Sequence, residues 1–457
     1  MAIQNMPTAL QPIIQQNFLQ REFQDGLTSA LGFRDVADRE MISIGVGETV
    51  TKTRAGLKAP ATTPLSPSGN TNLDNGITPS SCTVEQYTLG MDMYGDSVDL
   101  NIVTSQVGIA NQFLLNAKTN GKQARQTLDR LARNALFSTQ MGMNSRVRTT
   151  LGAPATTLAV DDVRGFANTL SSSGQPVAVS PSNPLPVLVG SNIYNCTGVA
   201  VDGTNASTAI IVGGGISGTS GTLTFASNVT VADGTAGNVV ISTYAPHIVR
   251  PNGKWIGGSG TQATATTAAL NSSDKLSLAA IEDAVALLRN NTGMVSEMFN
   301  LYLDNMSMRQ LLADSDFKLA FQGQYGAKEM QMGQVFQLMG CNFIPTTESP
   351  MQAASTAIPT GVRRPILCAP GVLVEGDFAG MAKRAVETNG TNSIVESIDD
   401  VVQVVRAPLD RLQQIVAQSW FWAGGFAVPT DQTATSNIIP TASSSFFKRA
   451  VMIEHAA

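Results

Sequence analysis

The chain has 457 residues, 43% of them apolar, enough for roughly two or three domains with a sizeable core. A formal net charge of −5, with no large block of one sign, lacks the basic patch or tail of a nucleic-acid reader and argues against specific DNA or RNA recognition. No run of about eighteen apolar residues suits a membrane span, the first residues lack the basic and apolar regions of a signal peptide, and the scattered cysteines (Cys82, Cys196, Cys341, Cys368) form no CxxC pair, so they read as buried, reduced thiols of a cytosolic protein.

Residues 1–47 read as an arm with short helical pieces. Ile13, Ile14, Phe18, Leu19 and Phe23 recur at near-helical spacing, and Pro12 suits a helix start. Two extended arms follow, at 48–58 and 82–100. Between them lies APATTPLSPSGNTNLDNG, too rich in turn formers to bury much. Strand-like arms around such a tip predict a long protruding hairpin. Residues 101–140 carry the clearest helical signal: Val103, Val107, Ala110, Leu114, Ala117, Gly121, Ala124, Leu128, Leu131 and Ala135 mark one apolar stripe. A continuous helix of this size would span roughly 50 Å. Small residues at its middle invite close backbone approach, and Asn120-Gly121 offers a possible break.

Residues 147–262 form an island of sparse charge. Short β-prone runs (LPVLVG, GVAVDG, AIIVGGG, GTLTFAS, NVTVAD, NVVISTYA) recur between turn residues, predicting an all-β sandwich or small barrel inserted into the chain. Beyond it, Ser277 is a candidate cap for a helix bearing Leu278, Ile281, Val285 and Leu288, stopped by Asn290, Asn291 and Gly293. LYLDN reads as a strand, and Ser307 as the cap of a second helix through Leu311 and Leu312. RRPILCAPGVLVEGDF, SIDDVVQVV and FFKRAVMIEH are strand-like, and the aromatic IVAQSWFWAGGF is the candidate central strand. The class is α+β, without βαβ alternation.

Chemistry is sparse. His247 and His455 are isolated, which disfavours a His-based metal or catalytic site. The glycine run from Gly213 to Gly221 lacks the lysine of a phosphate loop. The adjacent pairs Asp161-Asp162, Glu282-Asp283 and Asp399-Asp400 do not share a face and read as solvated charges. Met294, Met298, Met306, Met308, Met330, Met332 and Met339 suit core filling or an adaptable subunit contact. No catalytic, cofactor-binding or metal-binding residue is assigned, and no enzyme activity is expected.

The order of parts, together with the segments YGDSVDLNIVTSQVGIANQFLLNAKTNGKQARQTLDRLARNALF, TTLAVDDVRGF, HIVRPNGK, DSDFKLAFQGQYG and GCNFIPTTE, resembles the major capsid proteins of tailed bacteriophages. The resemblance covers most of the chain from Thr88 onward and is closest to members with a P22-like inserted domain. It implies the HK97-type capsid fold: residues 1–47 the N-terminal arm, 48–100 the E-loop, 101–146 the spine helix of the P-domain and 147–262 the inserted β domain. Residues 263–380 would be A-domain, and 381–457 the remaining A-domain and P-domain strands. It further implies a structural subunit assembling into pentamers and hexamers of an icosahedral head. The partners would be copies of itself, a scaffolding protein, a portal protein, a decoration protein and packaged double-stranded DNA held without sequence-specific binding; no membrane is involved. No long charged helical segment precedes the arm, which points to a separate scaffolding protein. Assembly would take place in the host cytoplasm, with the product in the virion. Some relatives cross-link a Lys to an Asn; Lys52 and Lys58 lie on the first arm, but no pair is identifiable. The inserted domain is expected to fold autonomously on the outside of the shell. The alternatives are an encapsulin-like cargo compartment, disfavoured by the large insert, and a carbohydrate-binding or catalytic protein built on the β island, disfavoured by the missing chemistry.

Overall fold

The computed structural model describes residues 18–27, 32–42, 49–55, 84–101, 109–140, 144–161, 163, 166, 168–170, 176–202, 220–242, 247–252, 270–292, 298–321, 337–352, 360–378, 393–408, 410–412, 414–429 and 449–457. The chain falls into two compact units. Met1–Val50, Leu89–Ala135 and Leu373–Ala427 form the first; Thr51–Thr88, Leu136–Val372 and Val428–Ala457 form the second.

The first unit is built on a mixed sheet whose centre is the aromatic strand Ile415–Ala427, as its composition predicts. Asp92–Asn101 runs antiparallel along one side of it. On the other side Val401–Arg406 and Leu373–Phe378 each take half of its length. Ser393–Ile398 extends one edge and Ala37–Ile42, parallel to Leu373–Phe378, extends the other. Alternation along the central strand turns Val416, Trp420 and Trp422 toward the helices, where Trp422 stacks on Tyr94 and Phe426. Asp399 and Asp400, at φ 50° and 66°, form the two-residue turn between their strands. Both residues left-handed is the type I′ geometry that matches strand twist.

One continuous helix, Ile109–Gln140, lies on this sheet. Its 32 residues span about 48 Å, and Asn120-Gly121 does not break it. Phe113, Ala117, Ala124 and Leu128 are fully buried. The expected stripe holds in its middle and drifts at its ends. Leu114, Leu131 and Ala135 are half-buried, while Phe113 and Ala132 occupy the core. A 3.6-residue helix rotates away from a strict alternation of fours and threes. Val103 and Val107 lie outside the described residues. Asn101, expected at the start of the helix, is claimed by strand pairing, and the residues between it and Ile109 lie outside the described residues.

The amphipathic helix Phe18–Leu27 packs Leu19, Phe23 and Leu27 into the same core; Pro12, Ile13 and Ile14 lie outside the described residues. Its Gly26 meets Gly121. A Cβ on Gly121 would stand 2.4 Å from the Phe23 carbonyl oxygen, and one on Gly26 would stand 2.5 Å from that of Lys118. The small residues at the middle of the stripe therefore serve a helix crossing.

The hairpin arms are present as Thr49–Ala55 and Val84–Gly90, which pair as a two-stranded sheet. The second arm is shorter than the expected 82–100. It ends at Gly90, and the chain from Asp92 joins the sheet of the first unit. The tip, with Cys82 and Lys58, lies outside the described residues.

In the second unit, Asn144–Arg146, Val239–Ser242, Leu185–Val189, Asn192–Val201, Gly221–Val229 and Ala155–Val160 pair antiparallel in that order. A bridge between Val147 and Val160, with Arg148 N–H donating to the Ala159 carbonyl, closes the ring. The island is thus a small barrel, and its interior is packed with side chains such as Leu158, Val187, Leu223 and Phe225. Its first strand begins at Asn144, ahead of the expected 147. His247–Val249, expected inside the island, instead lies parallel to Ala450–Ile453 in a different sheet.

That sheet continues through Ile366–Cys368, Phe299–Leu303, Cys341–Pro345 and Gln337–Leu338. The helix Leu278–Thr292 buries Ile281, Ala284 and Leu288 against it, and Ser277 Oγ accepts from Ala280 N–H at 3.4 Å, the expected cap. Asn290 and Asn291 lie within this helix. The next helix, Asn305–Ala313, is capped by Asp304 and not by Ser307. An aspartate at the end of LYLDN precedes the helix by one residue and receives the N–H groups of Met306 and Ser307. Met351–Gln352, Val362–Arg363 and His455–Ala456 form a small three-stranded sheet.

Candidate functional site: buried charge clusters

Many of the polar side chains that the fold buries gather in three clusters. In the first unit, the chain before Ala37–Ile42 turns so that Phe33 and Arg34 donate backbone N–H groups to Asp129 at 2.7 and 3.1 Å. The Arg34 guanidinium grips Glu375, its Nε 3.1 Å from both oxygens and its Nη2 2.6 Å from Oε1. Arg39 lies 3.7 Å from the same carboxylate and 3.5 Å from Asp399. Burial pushes the Asp129 carboxyl above its ordinary range despite its two backbone donors. Burial, and then the neighbouring Asp400, lifts Asp377 to about 6.

In the second unit, Asp161 at the end of a barrel strand accepts from Arg146 N–H at 2.9 Å, from the Ser145 hydroxyl, and from Arg250 Nη2 at 3.2 Å. Arg250 also meets Glu454 at 2.8 Å, and Arg364 Nε donates to the other oxygen of Glu454 at 2.9 Å. All of these charged groups are almost completely buried.

The third cluster contains Asp304, Ser307, Arg363 and His455. His455 Nδ1 lies 3.0 Å from the Ala456 carbonyl, which accepts only, so Nδ1 carries the proton and Nε2 faces Ser307 Oγ at 2.8 Å. Ser307 Oγ also touches Asp304, which is ion-paired to Arg363. Burial lowers His455 to about 4, keeping the ring neutral. Serine, histidine and aspartate are together here, but the aspartate touches the serine, and the imidazole Nδ1–H is held by the Ala456 carbonyl instead of a carboxylate. Ser307 and His455 are also fully buried, so no substrate carbonyl reaches the hydroxyl and the arrangement cannot work as a nucleophile–base–acid triad.

The sequence-flagged residues distribute unevenly. Asp161, read as a solvated charge, is a buried ion-pair partner because Arg250 and Ser145 replace its water; Asp162 lies outside the described residues. Asp399 and Asp400 are about half exposed and paired with Arg39. Glu282 is exposed, and burial raises the half-buried Asp283. Cys196, Cys341 and Cys368 are buried and unlinked, and burial lifts Cys196 to about 11 and Cys341 to about 12. Such thiols are inert at neutral pH. Ser220 is buried and Gly221 opens a barrel strand, while residues 213–219 of the glycine run lie outside the described residues. Met308 is core, whereas Met298, Met306 and Met339 are exposed; Met294, Met330 and Met332 lie outside the described residues. Among the described residues, no group of three or more His, Cys, Asp or Glu could hold a metal ion, and no helix is long and apolar enough to cross a membrane.

No protein-family model and no curated protein matches the sequence. Solved structures similar to the chain include bacteriophage capsids and a virus-like particle from Pyrococcus furiosus. The capsid of cyanophage P-SCSP1u aligns at TM-score 0.45 and 11% identity, over 93% of this chain and 88% of that one. The capsid of cyanophage Pam1 aligns at TM-score 0.45 and 12% identity, over 91% and 86%. The head structure of Helicobacter pylori bacteriophage KHP40 aligns at TM-score 0.44 and 10% identity, over 94% and 93%.

Proposed function

We propose that this chain is the shell-building subunit of a tailed-phage head, a structural protein and not a catalyst. The observation that carries the reading is the order of parts along the chain. An arm helix is followed by a paired hairpin, one helix of 32 residues, a closed barrel, a second mixed sheet, and strands that return to the first sheet. That is the order in which the resembling capsid proteins place N-arm, E-loop, spine helix, inserted domain, A-domain and P-domain. On this reading the hairpin around residues 49–90 is the E-loop, the barrel of residues 144–242 is the inserted domain, and the product is found in the virion.

The chemistry of the buried clusters suits this role. Their charges hold elements of the subunit together. Shell formation needs a rigid body with extended arms, since many weak contacts around a closed lattice sum to a stable particle. Pentamers and hexamers, scaffolding, portal and decoration proteins, and DNA packed without sequence-specific contacts belong to the same proposal. Expressed with its scaffolding protein, the chain should give closed shells in negative-stain micrographs. Monomers or small fixed oligomers under those conditions would refute the reading. Shells loaded with protein cargo, with no nucleic acid packaged during infection, would favour the encapsulin-like compartment.

A further inference from the structure

Ser307 Oγ stands between two acceptors. Three contacts follow one another in a line: His455 Nδ1 to the Ala456 carbonyl at 3.0 Å, His455 Nε2 to Ser307 Oγ at 2.8 Å, and Ser307 Oγ to Asp304 Oδ1. Each needs one proton between its two atoms. A neutral imidazole and a hydroxyl supply two, while the carbonyl and the ionised carboxylate supply none. Whichever way the hydroxyl points, one contact lacks its proton. Charged groups reach the ring from several elements. Asp304 caps the helix Asn305–Ala313 and is ion-paired to Arg363 of the strand Val362–Arg363. Lys275, ahead of the helix Leu278–Thr292, donates to the Ala457 carbonyl oxygen at 2.6 Å. Glu454, next to His455 on its own chain segment, is engaged with Arg250 and Arg364. Burial lowers the proton affinity of the ring most; the Ala456 carbonyl and Asp304 raise it, and Arg363 and Lys275 lower it further.

We infer that Asp304, Ser307 and His455 form a binding site for one proton, whose arrival reverses the Ser307 hydroxyl and leaves the strand His455–Ala456 seated. The proton comes from solvent and is held on Nε2. Nδ1–H still donates to the Ala456 carbonyl, Nε2–H donates to Ser307 Oγ, and the freed Ser307 O–H turns to Asp304. All three contacts then carry a proton, and no heavy atom has to move. Arg363, paired with Asp304, holds the negative end of the line, so the added charge rests on the imidazole. Hydrogen bonds with an ionised partner are roughly twice as strong as neutral ones, which offsets part of the cost of charging a fully buried ring. The line joins three elements: the strand His455–Ala456, the helix Asn305–Ala313 and the strand Val362–Arg363. Acid therefore lowers the stability of the whole chain, because the unfolded histidine binds the proton more tightly, without releasing this strand ahead of the rest.

The test uses the full chain with nitrogen-labelled histidine, its imidazole nitrogens followed by NMR as the pH is lowered. His455→Asn tells the two histidines apart. At neutral pH His455 should carry a proton on Nδ1 alone. In acid Nε2 should gain one in a single step near pH 4, while the Ala456 and Ala457 amides, which donate to the Asp274 and Gly361 carbonyls, stay protected from exchange. Ser307→Ala removes the middle of the line and should weaken proton binding about tenfold, moving the step down by about one pH unit. Ser307→Thr keeps a hydroxyl and should restore the step. Asp304→Asn still caps the helix but loses the anion, and should also move the step down. A Ser307 that only packed the helix would change the melting temperature of its variants and not the step. A step unmoved or raised in Ser307→Ala would overturn the proposal. So would amides of Ala456 and Ala457 that lose protection in the parent as the step is crossed, since the proton would then eject the strand; that measurement needs no variant to fold.

Discussion

Replacing Gly121 by alanine tests the helix crossing of the first unit most directly. In isolation the change favours the helix by about 1 kcal/mol, because alanine loses less backbone freedom than glycine. The structure reverses that sign. The new Cβ would sit 2.4 Å from the Phe23 carbonyl oxygen and 3.2 Å from the Gly26 Cα, both of them backbone atoms that no rotamer change can move. The short helix must retreat by roughly 0.6–1 Å, a gap that forfeits about a quarter to a half of the dispersion energy of each contact it opens. Phe23 and Leu27 pack with Ala124, Leu128, Trp420 and Trp422 at that crossing. Overpacking of this kind costs about 1–3 kcal/mol, and a backbone obstacle places it toward the upper end. The net expectation is a destabilisation of about 1–2 kcal/mol. Urea unfolding followed by tryptophan emission in a Trp255→Phe background reads this unit through Trp420 and Trp422. Lys122→Ala, on an exposed position of the same helix, supplies the baseline. Gly26→Ala should behave like Gly121→Ala, and the double variant should be less damaged than the sum, because one retreat of the short helix relieves both clashes. A Gly121→Ala chain stabilised by about 1 kcal/mol, the propensity value alone, would show that the two helices do not cross at these glycines.

Two further substitutions probe the buried polar groups. Among the described residues, Gln403 faces the long helix with neither amide atom hydrogen-bonded, so Gln403→Met should raise stability by about 1 kcal/mol in the same urea assay, and a loss would reveal a partner for the amide. His455 titrates near 4 when folded, against 6.5 for an ordinary histidine. Its unfolded form therefore binds the proton first, and stability falls by about 3 kcal/mol as pH drops from 6.5 to 4. Asp377, raised to about 6, works in the opposite direction: its contribution is present below its unfolded value near 3.8 and is lost as pH rises through 6. The measurement is accordingly the difference in pH slope between the parent and His455→Asn, which cancels the aspartate. Parallel slopes would mean that the ring is not held neutral.

Those features fall on both sides of what the sequence makes legible. The long helix could be read because its signal is local: a stripe persisting over many turns, with Ala117, Gly121 and Ala124 announcing close approach. The partner, Gly26, could not be chosen from among many glycines, since nothing near it records what it will face. The barrel rhythm was readable as short runs between turns, yet its closure rests on the Val147–Val160 bridge, which has no sequence signature. The hairpin's second arm was overextended because Val84–Gly90 and Asp92–Asn101 are both extended, and pairing alone separates them. Buried charge was the least legible. Asp161 looks like any other surface aspartate until Arg250, 89 positions away, is beside it, and Ser307 and His455 are separated by 148 positions.

Long range also gives these charges a purpose that the apolar residues cannot serve. His247–Val249 and Ala450–Ile453 are short and parallel, with Val249 opposite Ile453. A slip of two residues toward Ala450 would keep every side chain on its own face and would still set Ile248 against Ala450 and Val249 against Val451, so hydrophobicity barely distinguishes those two registers. The residues that follow break the tie. Arg250 comes directly after Val249 and Glu454 directly after Ile453, and in the observed register they meet at 2.8 Å. Any slip would leave both charges buried without each other, and breaking a buried pair in this way costs about 3–5 kcal/mol. The ion pair therefore fixes where the C-terminal strand seats against the strand that follows the barrel, and Asp161 extends the same constraint into the barrel itself.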